Sequence, residues 1–152
     1  MDMVGWREWV ALPALGIDAI KAKVDTGART SALHAFQVSP FERDGQDWVR
    51  FSMHPFQHDG DTVVECEAPV ADRRTVTDSG GHREERYVIE TDLLIAGATR
   101  RVEVTLTDRE TMIFRMLIGR TAMQALTVDP SASFLLGGSK EAPPASVTDS
   151  KE

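Results

Sequence analysis

Cysteine is nearly absent from this chain of 152 residues, where Cys66 stands alone. One thiol can close neither an internal disulfide nor a thiolate zinc cage, and its isolation suits a reducing compartment. Long apolar runs are missing too. No stretch approaches the roughly 18 residues that a spanning helix requires. The run Trp9 to Leu12 is short and directly preceded by Arg7 and Glu8, which is unlike a signal peptide. These absences predict a cytoplasmic protein with no membrane partner. Positive charge is in deficit: 17 Lys and Arg against 24 Asp and Glu leave a net charge of −7. Bulk attraction to nucleic-acid phosphates is therefore not expected. No motif recurs at a fixed period. Neither Gly80-Gly81 nor Gly137-Gly138 leads into the Gly-Lys-Ser/Thr of a phosphate loop, and no cofactor is expected.

A hydrophobic fraction of 41% and a charged fraction of 27% fit one soluble domain. The domain is expected over 1–136. From Gly137 the chain reads GGSKEAPPASVTDSKE, too poor in apolar residues to offset its ordering entropy, so 137–152 is expected to be a flexible tail. Within the domain, Ile20, Ala22 and Val24 alternate with Lys21 and Lys23, the period of a strand. Further strands are predicted over Trp48 to Met53, Thr62 to Glu67, Tyr87 to Ile95, Val102 to Leu106 and Met116 to Ile118. Arg120 to Leu126 is the best helix candidate, at about two turns. Many short strands and one short helix predict an all-β barrel or sandwich.

Chemistry concentrates in two segments. In Ala22 to Ala28, AKVDTGA, an apolar strand runs straight into Asp25-Thr26-Gly27. Gly27 permits a sharp turn, and the Thr26 hydroxyl can lock the loop. A carboxylate held on a stiff loop is suited to acid–base activation of water, although Asp and Gly are also ordinary turn residues. The second segment, Met116-Leu117-Ile118-Gly119-Arg120, places apolar residues before a glycine and a short helix. Together the two segments resemble the retropepsin-like aspartic proteases. More narrowly, KVDTGARTSALHA (Lys23 to Ala35), RTVTDSGGHREERYVIE (Arg74 to Glu90) and LTDRETMIFRMLIGRTAM (Leu106 to Met123) resemble the bacterial group labelled ATP-dependent zinc proteases. Some members of that group are encoded with RimK-type glutamate ligases.

The resemblance implies a retropepsin-like closed barrel with one short C-terminal helix. It implies an aspartic peptidase in which Asp25 is the general acid/base and Thr26 and Gly27 hold its loop. With one Asp-Thr-Gly per chain, it also implies a homodimer in which two copies of Asp25 share a water and a proton. Ala28 and Arg29 would border the substrate. Ser79, Gly80, Gly81 and His82 would form a flap tip over it, or else a plain hairpin turn. Leu117, Ile118, Gly119 and Arg120 would support the loop from below. Where viral retropepsins carry an acidic residue after Asp-Thr-Gly-Ala, this chain has Arg29, so Arg120 needs another partner.

Lys21, Lys23, Arg29, Arg73, Arg74, Arg83, Arg86, Arg115 and Arg120 all lie in or beside the motif segments. They suggest an anionic partner, an acidic or glutamate-rich peptide or protein, unless they are ordinary solvated strand faces. Two alternatives remain: a non-catalytic peptide-binding or dimerisation module on the protease scaffold, and a metal-dependent hydrolase. For the latter, His54 and His58 with Glu65 or Cys66 could be assembled, whereas His34 and His82 are isolated. Nothing in the sequence fixes that geometry, there is no His-Glu-x-x-His, and no metal ligand is assigned.

Overall fold

The computed structural model describes residues 2–56, 62–77, 80–108 and 114–144. In chain order its strands are β1 (Asp2–Val4), β2 (Arg7–Leu12), β3 (Ile17–Val24), β4 (Ser31–His34), β5 (Phe36–Arg43), β6 (Gln46–Met53), β7 (Val64–Thr77), β8 (Arg83–Ile95), β9 (Ala98–Thr107), β10 (Met116–Ile118) and β11 (Leu126–Val128). Two of the hairpins close on two-residue loops with φ positive at both positions. Asp44 and Gly45 (53° and 76°) join β5 to β6, and Ala96 and Gly97 (55° and 74°) join β8 to β9. That geometry matches the right-handed twist of the flanking strands.

Nine strands form one mixed sheet in the order β2-β3-β10-β4-β9-β8-β7-β6-β5, while β1 and β11 pair in parallel as a separate ribbon. The expected closed barrel with a C-terminal helix is corrected on both counts. A barrel needs a continuous ladder around its circumference. Here a single residue pair, Ala11↔Leu94, joins β2 to β8, and β7, β6 and β5 continue beyond it. Among the described residues the helical pieces are two 3₁₀ turns, Pro13–Leu15 and Arg120–Met123. The predicted helix over Arg120 to Leu126 stops because Gln124 is extended (φ −59°, ψ 136°) and Ala125 turns left-handed (φ 68°). Leu126 then enters β11 against Asp2. A seven-residue helix carries the full cost of nucleation for few hydrogen bonds, so strand pairing outcompetes it.

The core is continuous across the sheet. Phe51, Met53, Ile20, Leu33, Ile89, Leu93, Met116 and Ile118 are all fully enclosed. In β3 the alternation breaks, because Lys21 is buried along with Ile20 and Ala22. Its Nζ donates to the Lys140 carbonyl at 2.7 Å, and it lies over the Trp9 ring. Burial pushes the Lys21 pKa down, with repulsion from Arg7 and then Lys140 adding to it. Trp9 Nε1 donates to the Ser139 carbonyl at 2.7 Å, so residues 139 and 140 lie along β2 and β3.

The strongest polar link between the two ends of the chain is Glu8, which is fully buried. Its Oε2 accepts the Gly5 N–H at 2.7 Å and the Leu135 N–H at 2.8 Å, and its Oε1 accepts the Leu136 N–H at 3.0 Å. Replacing one acceptor that serves three donors, one buried and two part-buried, leaves desolvated N–H groups unpaired. Glu8→Gln is expected to destabilise the fold by about 2–4 kcal/mol. Urea unfolding of the variant against the parent checks this.

Candidate functional site

Short β10 lies between β3, to which it is parallel, and β4, to which it is antiparallel. Val24 and Ile118 are register partners, so β3 and β10 end side by side and their following loops meet. The Asp25 N–H donates to the Ile118 carbonyl at 2.9 Å. Asp25 Oδ1 accepts the Gly27 N–H at 3.1 Å, and the Asp25 carbonyl accepts the Ala28 N–H at 3.2 Å. The second loop binds the first: the Arg120 N–H donates to the Ala28 carbonyl at 2.8 Å. The Arg29 carbonyl accepts both the Thr121 N–H at 3.2 Å and the Thr121 hydroxyl at 2.8 Å. The Gly119 N–H donates to Ser31 Oγ at 3.0 Å.

Gly119 is required by contact. A Cβ there would lie 2.6 Å from the Thr30 carbonyl carbon and 2.9 Å from that of Arg29. Arg120, left without the acidic residue found in viral retropepsins, donates from Nη1 to the Gly27 carbonyl at 3.2 Å. The Thr26 hydroxyl makes no hydrogen bond among the described residues; the loop is closed by Asp25 itself. Thr26, Gly27 and Arg29 are exposed, Asp25 and Ala28 half-buried, and Leu117 half-buried above enclosed Ile118.

The structure thus brings Asp25 to Arg29 together with Ile118 to Arg120. Gly80, Gly81 and His82 are exposed at the tip of the β7–β8 hairpin, and Ser79 lies outside the described residues. None of those three lines the cleft beside the loop. That cleft, of about 280 Å³, is bordered by Arg29, Thr30, Arg101, Glu103 and Thr121. Among the described residues the Arg29 guanidinium has no ion-pair partner. Arg101 makes only long contacts to Asp92 (3.4 Å) and Glu90 (4.0 Å), and Glu103 meets Arg74 at 3.1 Å. Sequence reasoning missed Thr30, Arg101, Glu103 and Thr121. The alternation of β9 does put Arg101 and Glu103 on one face, but only the β4–β9 pairing, Ser31↔Val104, places that face beside Arg29.

Most of the other cations noted in the sequence are spent locally. Arg74 bonds Asp72 and Glu103, and those hydrogen bonds, Asp72 first, hold its pKa above the ordinary arginine value. Arg73 lies against Tyr87 and Glu85, and Arg86 against Glu84.

The metal candidates separate. His58 lies outside the described residues, and Glu65 is exposed while its neighbour Cys66 is buried on the other face of β7. Cys66 Sγ is 3.4 Å from the Leu15 carbonyl, and burial pushes its thiol up to about 12. Among the described residues no group of three His, Cys, Asp or Glu side chains is placed to hold a metal ion.

A family model described as RimB-like, "Retropepsin-like aspartic endopeptidase RimB", matches residues 3–137. The chain belongs to the RimB-like family. Curated relatives named "Probable alpha-L-glutamate ligase" match the same region of this RimB-like chain. Those of Shewanella pealeana and Shewanella halifaxensis are each 50% identical over 136 residues, covering 89% of this chain and 30% of theirs. That of Desulfotalea psychrophila is 46% identical, with 29% of its length covered. The chain therefore spans about 30% of the length of these relatives. A crystal structure from Legionella pneumophila, of a protein of unknown function, superposes with a TM-score of 0.75 at 23% identity. It covers 90% of this chain and 98% of its own, a likeness of fold alone.

These findings correct the functional expectation. The curated relatives, at 46% to 50% identity, bear a ligase name and not a protease name. That name stands against the expected aspartic peptidase of the zinc-protease group, working as a homodimer on peptide or protein, while the family's description keeps the endopeptidase term. The metal-dependent hydrolase finds no ligand cluster among the described residues, with His58 outside them. No helix among the described residues is long and apolar enough to cross a membrane.

Two outcomes follow from the geometry. Gly119→Ala forces backbone against backbone and is expected to cost about 1–3 kcal/mol, with shifted amide signals at Ala28 to Ser31 in heteronuclear NMR. Cys66 is expected to stay unreactive toward a disulfide reagent at pH 8 in the folded chain and to react at once in denaturant, because the thiolate is the nucleophile.

Proposed function

We propose that this chain serves alpha-L-glutamate ligation, as the module that holds free glutamate through its carboxylates. The observation that carries this reading is the 46% to 50% identity, over nearly the whole chain, to proteins of that name. The cleft beside the Asp25 loop supports it by charge. Arg29 and Arg101 offer two guanidinium groups, Glu103 offers one carboxylate, and Thr30 and Thr121 offer hydroxyls. L-Glutamate presents the complement, two carboxylates and one ammonium. Guanidinium–carboxylate pairing is strong and geometrically selective. The cleft volume, about 280 Å³, is near the lower end of small-molecule sites.

Arg29 is the principal carboxylate ligand in this reading, because its backbone is fixed twice by Thr121 while its head group is uncommitted among the described residues. Arg101, exposed and loosely paired, is the second. Ala28 and Gly27 form the loop that carries Arg29, and Gly119 and Arg120 hold that loop in place. Joining a carboxylate to an amine requires activation of the carboxylate, ATP being the usual source. The sequence has no phosphate loop. The chain's own part is therefore binding and orientation, with activation assigned to the further length that the relatives possess. Use of free glutamate and ATP places this work in the cytoplasm.

Calorimetry of the chain with L-glutamate tests the reading. Saturable binding is expected, weakened about tenfold or more by Arg29→Gln, and weaker for L-glutamine, which lacks the second carboxylate. Absence of saturable glutamate binding, or binding indifferent to Arg29→Gln, overturns it.

A further inference from the structure

Glu103 brings a carboxylate to the cleft beside Arg29, and its head group is set from β7, on the far side of β8. From Thr75 back to Asp72 the β7–β8 ladder is regular, with Arg74 opposite Arg86 and Asp72 opposite Val88. It then slips. Val70 is opposite Ile89, so Ala71 is the extra residue of a bulge. A slip of one residue exchanges the two faces of a strand. Asp72 and Arg74 therefore share the face of Val88, whereas Val70 shares that of Ile89. By alternation Glu90 lies on the Val88 face, and the pairing Glu90↔Glu103 puts Glu103 there too. The bulge thus brings Arg74 and Glu103 to one surface.

Like charges oppose one another across both ladders, Arg74 against Arg86 and Glu90 against Glu103. Directly opposed charges of one sign repel, and the strain is relieved along the diagonal. Arg74 Nη2 reaches over β8 to Glu103 Oε1 at 3.1 Å, while its Nε donates to Asp72 Oδ2 at 2.9 Å. Asp72 Oδ1 accepts the Arg73 N–H at 2.8 Å. That backbone bond, and then Arg74, hold the Asp72 carboxyl below its ordinary pKa. Arg86 turns away to Glu84 at 3.3 Å. A run of bonds so leads from the β7 backbone through Asp72 and Arg74 to Glu103. Arg74 and Glu103 are 37% and 42% exposed, so the run adds little to stability. What it fixes is direction. One oxygen of Glu103 is committed to Arg74, and the other makes no hydrogen bond among the described residues.

We propose that Arg74 is a positioning residue: anchored by Asp72, it holds Glu103 so that the second carboxylate oxygen receives the α-ammonium of the bound amino acid. The cleft then selects amino dicarboxylates over plain dicarboxylates of the same length. This rests on the glutamate reading and deepens it. Arg29 and Arg101 answer two carboxylates, which glutarate shares with L-glutamate, and Glu103 answers the ammonium, which glutarate lacks. A long side chain ordered before binding loses no rotamer freedom when the ligand arrives. Arg74 is not among the residues that border the cleft and acts through Glu103.

Calorimetry of the whole chain with L-glutamate and with glutarate tests the assignment. In the parent, L-glutamate is expected to bind about tenfold more tightly than glutarate. In Arg74→Gln and in Asp72→Ala that preference is expected to fall to about twofold or less. The two substitutions change the local charge in opposite directions, so a loss common to both reports the placement of Glu103 and not the potential of the cleft. Both side chains are partly or fully exposed, and urea unfolding is expected to match the parent. The inference is overturned if the parent binds the two ligands equally, or if either variant keeps the parent's preference. Glutamate binding that depends on Arg29 but shows no preference over glutarate overturns this inference alone. Absence of saturable binding by either ligand overturns the glutamate reading along with it.

Discussion

The seating of Gly119 against the backbone of Arg29 and Thr30 is the contact on which the site depends. It lets β10 sit between β3 and β4, so that one short apolar strand closes two neighbours at once. The hydrogen bonds that follow belong to one arrangement: Asp25 to Ile118, Arg120 to Ala28, Thr121 to Arg29 and Gly119 to Ser31. A side chain at 119 would separate the loops by the width of a methyl group and loosen them together. Rigid support of this kind keeps an exposed functional loop from sampling many conformations.

A second constraint acts from the chain's ends. Glu8 gathers Gly5, Leu135 and Leu136, and nearby Trp9 and Lys21 hold Ser139 and Lys140. The outer face of β2 and β3 is therefore covered, which is why Lys21 is buried in a strand whose pattern predicts an exposed lysine. A carboxylate that satisfies three backbone donors is compensated in a way that an isolated buried charge is not.

Much of the fold was legible. Strict alternation located β3 and β9, and turn residues bounded β6 and β8, because pleating places alternate side chains on opposite faces. The helix over Arg120 to Leu126 was misjudged because composition carries no record of the positive φ at Ala125, nor of the β1 edge waiting for Leu126. Barrel closure was overestimated for a similar reason. Strand count constrains the class of architecture, while closure depends on how far one ladder extends, and here the β2–β8 link is one residue pair. At the site, the convergence of Asp25 and Gly119 could be anticipated from the two motifs. The nearness of Arg101, Glu103 and Thr121 to Arg29 could not, since they are remote from it in sequence and typical of solvated surface. The chemical reading shifted furthest. The family's description keeps an endopeptidase vocabulary, and the curated relatives carry a ligase name over a domain that makes up about a third or less of their length.

The sequence by itself determined the local features: a strand-rich chain, a tight Asp-Thr-Gly bend, and a glycine placed where two backbones must touch. These follow from side-chain size, period and backbone freedom, properties that each segment carries alone. The tertiary structure decided which charges face one another. It set Arg29 beside Arg101 and Glu103 and buried Glu8 among three amide donors. Such groupings depend on pairing between distant strands, where the free energy of a contact belongs to both partners and to neither sequence alone.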